Sequence, residues 1–146
     1  MENENIIKNT LNNEFNPYII ERAIEETKNE QVLKVYIASC SNYCVYILTD
    51  KKIYIIDGNK DSKAVSCRRA KFVDLSSFNL YRHDSYDSIA IITDRGHVVF
   101  VLKFMNLTTA MECLRTLYEQ QVLNDPFLED KDKVKFDFDN YRTYPA

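Results

Sequence analysis

The chain has 146 residues, 45% of them apolar and 28% charged, a composition that fits a folded globular domain and excludes a low-complexity or disordered chain. Nineteen basic residues stand against 22 acidic ones, a net charge of −3, which argues against a dedicated nucleic-acid binder. No apolar run approaches the ~20 residues of a membrane-spanning helix, and the acidic stretch from Met1 to Asn5 lacks the basic and apolar regions of a signal peptide.

A cytoplasmic location is therefore expected, with Cys40, Cys44, Cys67 and Cys113 as reduced thiols rather than a disulfide framework. In chain order, Ile7, Leu11 and Phe15 recur every four residues and predict a short helix over 5–15. Asn16-Pro17 reads as an N-cap followed by proline at the first helical position, opening a helix over about 17–29. Its expected apolar face is Ile20, Ala23, Ile24 and Thr27.

From residue 32 the period changes to two. Leu33, Val35 and Ile37 alternate with Lys34 and Tyr36, and the runs 43–48 and 53–56 flank the polar turn 49–52, which predicts a hairpin. Asp57-Gly58-Asn59 ends it with turn residues. Short strands are expected near 64–67, 71–73 and 78–81. A second hairpin joins 88–93 to 97–104 through Asp94-Arg95-Gly96, with Val98, Phe100, Leu102 and Phe104 on one face.

Thr109 and Glu112 have capping-box spacing. Behind them Leu107, Met111, Leu114 and Tyr118 form the stripe of an amphipathic helix over 109–122. In the acidic tail, Val134, Phe136 and Phe138 alternate with Lys135 and Asp137. That pattern suits an edge strand, paired within the same chain or with another. Residues 1–31 thus read as a helical extension, 32–123 as the main domain and 124–146 as an acidic-aromatic tail.

This order, about seven strands in consecutive hairpins and then one helix, resembles the pleckstrin-homology-like (PH-like) superfold, including its GRAM-type and bacterial members. The residues that carry the resemblance are the hairpin from Tyr46 to Ile56, with Thr49-Asp50-Lys51-Lys52 at its turn, and the strand Val98 to Phe104 leading into the capped helix. The resemblance covers about 32–123. It implies an α+β fold: an antiparallel sheet or partly open barrel of about seven strands, closed by the C-terminal helix. The chain has no Trp, so Tyr118 or Leu117 would fill the place of the tryptophan of eukaryotic PH helices.

The resemblance also implies phosphate or phosphoinositide head-group binding at basic residues around the first hairpin loops, here Lys51, Lys52, Arg68, Arg69 and Lys71, with Lys60 and Lys63 nearby. Converging ammonium and guanidinium donors suit phosphate, although Asp50, Asp57, Asp61 and Asp74 dilute that field. The tail aromatics Phe136, Phe138, Tyr141 and Tyr144 are candidates for a protein interface.

For zinc, Cys40 and Cys44 lack a second pair at ligand spacing, and buried thiols are the plainer reading. His83 and His97 are the possible general bases. There is no Gly-x-Ser-x-Gly elbow, and two glycines cannot build a phosphate-cradling loop. The sequence therefore predicts a non-enzymatic binding module with no cofactor. Its expected partner is a protein, a second copy included, with a phosphate ligand or a small enzyme as the alternatives.

Overall fold

The computed structural model describes all residues except 1, 12–13, 40–41, 83–87, 96–97, 141–142 and 146, and the backbone alone at 88, 89, 91 and 143–145. The chain divides into two compact units, Met1–Arg69 and Ala70–Ala146.

The first unit opens with α1 (Glu2–Thr10) and α2 (Pro17–Thr27). Asn16 caps α2, its side-chain oxygen accepting from the Tyr18 backbone N–H at 2.8 Å, with Pro17 in the first turn. The same buried side chain donates to the carbonyls of Asn59 (2.7 Å) and Ser62 (3.0 Å), so one residue starts the helix and fixes a loop.

Four antiparallel strands follow in consecutive order: β1 (Val32–Ile37), β2 (Cys44–Thr49), β3 (Lys52–Gly58) and β4 (Val65–Lys71). The expected hairpin is present, with Leu48 opposite Ile53. Its tip is held by the buried Thr49 hydroxyl, which accepts from the backbone N–H groups of Lys51 and Lys52 at 3.1 and 3.0 Å. Gly58 is required where β3 passes the loop into β4. A Cβ there would lie 2.8 Å from the Ala64 carbonyl oxygen.

The core of this unit joins Ile7, Leu11, Phe15, Ile19 and Ala23 to Val45, Ile47, Tyr54 and Ile56. Ile7, Leu11 and Phe15 are all buried, but the helix expected over 5–15 lies at Glu2–Thr10, so only Ile7 of the three is on α1 and the other two follow it. On α2 the buried positions are Ile19, Ala23 and Thr27, whereas Ile20 and Ile24, expected in the core, are half-buried on the flank. The rows 19, 23, 27 and 20, 24 share one helical spacing, and it is the first that faces the sheet.

The second unit starts with a 3-10 turn, Phe72–Asp74, where a short strand over 71–73 was expected. Then come β5 (Leu75–Arg82), β6 (Ser88–Asp94), β7 (Val99–Phe104) and α3 (Leu107–Asn124). The tail ends in β8 (Thr143–Pro145), which pairs parallel to β5, giving the order β7-β6-β5-β8. Phe78, Leu80, Ala90, Ile92, Phe100, Leu102 and Phe104 are buried, and α3 packs on β6, β7 and the 3-10 turn.

The α+β character, the antiparallel hairpins and a C-terminal helix seated on a sheet are all present. The expected single sheet or partly open barrel of about seven strands is not seen among the described residues: the strands fall into two sheets, with the second hydrogen-bond ladder beginning after the 3-10 turn. That turn is pinned by Gln121, whose buried amide nitrogen donates to the carbonyls of Phe72 and Leu75, each at 2.9 Å.

Two details of the second hairpin and helix differ from expectation. Val98 lies outside β7 and is exposed, its N–H engaged by the Asp94 carboxylate at 2.9 Å. The cap of α3 is Asn106, which accepts from the Thr109 N–H at 2.8 Å, so Thr109 sits inside the first turn. The buried stripe is Ala110, Cys113, Leu114, Leu117 and Gln121, flanked by the half-buried Met111 and Tyr118 that were expected in it.

Candidate functional site

The basic residues named from the sequence lie on β3 and β4 and in the turns beside them, and acidic partners are described for Arg69 and Lys52. Arg69 on β4 meets Glu26 of α2 at 2.6 Å, and Arg22 reaches the other oxygen of the same carboxylate at 2.7 Å. Lys52 lies 3.4 Å from Glu30, which also accepts from the Thr49 hydroxyl at 2.6 Å. Lys51, Arg68 and Lys71 are exposed. Lys63 rests over the Tyr18 ring, 5.8 Å from its centre.

Hydrogen bonding from Arg22 leads the effects that hold the Glu26 carboxyl below its ordinary value, and Arg69 adds to it. Burial, then the Glu30 hydrogen bond, pushes the Tyr54 phenol far up. Burial also raises the Cys67 thiol, with Glu26 reinforcing it against the weaker pull of Arg22 and Arg69. Chemically this is a charge-balanced clamp between α2, β3 and β4, and its cysteine is kept as the thiol.

The tail aromatics are engaged inside their own unit. Phe136 packs at 6.2 Å from Phe78 of β5 and 4.9 Å from Phe138, edge to face. Phe138 lies 5.6 Å from Tyr118 and under the Arg115 guanidinium at 4.8 Å. Tyr141 lies outside the described residues, and for Tyr144 only its backbone, opposite Tyr81 in β5, is described.

Cys113 is fully buried and its thiol is pushed far up by that burial; Cys44 is half-buried. Cys40, His83 and His97 lie outside the described residues. Among the described residues, no three of His, Cys, Asp and Glu gather as metal ligands, and no helix is long and apolar enough to cross a membrane.

Two surfaces emerge that the sequence pattern did not single out. The first is β7, an edge strand whose outward residues Val99 and Val101 are 48% and 43% exposed, with Val98 and Met105 exposed at its ends. Its pairing with β6 runs without a bulge from Val99 to Phe104. The second is a groove of about 440 Å³ along α1 and α2, lined by Pro17, Ile20 and Ile24 and rimmed by Glu4, Lys8, Glu21 and Glu25.

A signal for each was available. The unbroken apolar run from Val98 to Leu102 puts apolar residues on both faces of β7, and α2 carries two adjacent apolar rows where one core contact needs only one. No protein-family model matches the chain, and no curated protein matches it.

Proposed function

We propose that this chain is a cytoplasmic, non-enzymatic PH-like module that works by protein contact, with β7 as a self-association edge. The PH-like reading is supported by element order: four antiparallel strands, three more, then the capped helix α3. Binding rather than catalysis is supported by Cys67 and Cys113, two of the three described thiols, whose burial favours the protonated form. Protein contact is favoured over a phosphate ligand because Glu26 and Glu30 neutralise Arg69 and Lys52.

The observation that carries the reading is the exposed valine row on the edge strand. Sheet edges are ordinarily blunted by proline, a bulge or several charges. β7 has no proline or bulge, and Lys103 is its one charged residue. Antiparallel pairing of β7 with β7 of a second copy about a two-fold axis satisfies both open backbone edges and is self-complementary.

Light scattering and sedimentation of the full chain at micromolar concentration test this. A dimer that Val101→Lys converts to monomer, with an unchanged circular dichroism spectrum, is expected. A wild-type chain that stays monomeric removes the self-association.

A further inference from the structure

We infer that the α1–α2 groove is a docking site for a basic amphipathic helix of a partner protein, a second surface independent of β7. Its floor is built by Ile20 and Ile24, one turn apart on α2, together with Pro17. The row Ile19, Ala23 and Thr27 is the buried one, whereas these isoleucines only flank the core and remain half-buried. Two apolar residues at four-residue spacing, beside a neighbouring helix, present the complement of another helix's i, i+3/i+4 anchors. The volume, about 440 Å³, is within the range of roughly 300–1,000 Å³ typical of ligand sites.

Charge names the occupant. Three of the four charged rim residues are glutamates, and Glu2 and Glu14 lie on the same segment. Lys8 pairs with Glu4 at 2.6 Å, and Lys28 outside the rim pairs with Glu25 at 2.7 Å, both exposed contacts within one helix. Such exposed pairs are weak and exchange readily with an incoming cation. Glu21 is exposed at the lip. An anionic head group or phosphate is repelled here, whereas a helix with apolar anchors flanked by Lys or Arg is matched on both counts.

The test uses the full chain and a fluorescent Lys/Leu amphipathic peptide of ~18 residues, five turns of helix. A Glu/Leu peptide with the same apolar face serves as its counterpart. Anisotropy should show saturable binding of the Lys/Leu peptide at one site per chain and none of the Glu/Leu peptide. The double substitution Glu21→Lys/Glu25→Lys should weaken binding by about tenfold or more, equivalent to ~1.4 kcal/mol. Both positions are exposed, so the fold is retained, and circular dichroism checks that. The Val101→Lys chain should bind as wild type does, which separates this site from self-association. No saturable binding, equal binding of both peptides, or unchanged affinity in the double variant each overturns the proposal.

Discussion

Glu26 receives Arg22 on one carboxylate oxygen and Arg69 on the other, and the two guanidinium groups come from elements far apart in the chain. Because the folded carboxyl titrates below its ordinary value of 4.5, the stability it contributes is fully present above that pH. It is lost as pH falls through the depressed folded value. Glu26→Gln should therefore lower the urea midpoint at neutral pH and flatten its decline below pH 4.5, so that the two proteins converge in acid. A variant that keeps the wild-type acid limb would show that the clamp contributes nothing. At this scale the sequence displays basic residues but not their neutralisation, because the partners Glu26 and Arg69 are 43 positions apart. Only the fold brings them together. Gln121 is a similar case: a polar residue on an apolar stripe that is buried because three backbone groups claim its amide.

Elements were far more legible than their edges. The Asn16-Pro17 start of α2 and the hairpin turn at Thr49 each combine a period with a local stop or start signal, and each is present, whereas the helix expected over 5–15 is found at Glu2–Thr10. The start of α3 was misplaced because Asn106 and Thr109 are both good capping residues, and spacing alone does not choose between them. The structure does, and this gives a prediction. Asn106→Ala should cost about 1 kcal/mol in chemical denaturation, in the usual range for a lost cap, while Thr109→Ala should cost a few tenths. The reverse order would restore the capping-box reading. The faces of α2 were blurred for a related reason. Two adjacent apolar rows fit one period equally well, and only the sheet beneath decides which is buried.

At the scale of the whole molecule, the seven-strand pattern was readable, but its partition into two ladders was not. The divide follows the 3-10 turn Phe72–Asp74, where Phe72 and Leu75 are fully buried and their carbonyls are taken by a helix side chain. No short-range signal in the sequence announces that contact. The tail is held the same way. Gln121 accepts from the Val134 N–H at 2.8 Å, Arg95 donates to the Asp132 carbonyl, Lys135 bridges to Ser77, and β8 lies along β5.

Between α3 and these anchors Phe127 is 92% exposed, close to full solvent access. Brief chymotrypsin treatment should cut there first, and the piece 128–146 should still co-elute with the remainder in gel filtration. Immediate separation of the two pieces would show that the anchors are too weak to hold. If they do hold, covalent continuity past α3 is dispensable. The terminal stretch can then be supplied as a separate peptide, and reassembly of the halves becomes a readout of whether the larger piece has folded.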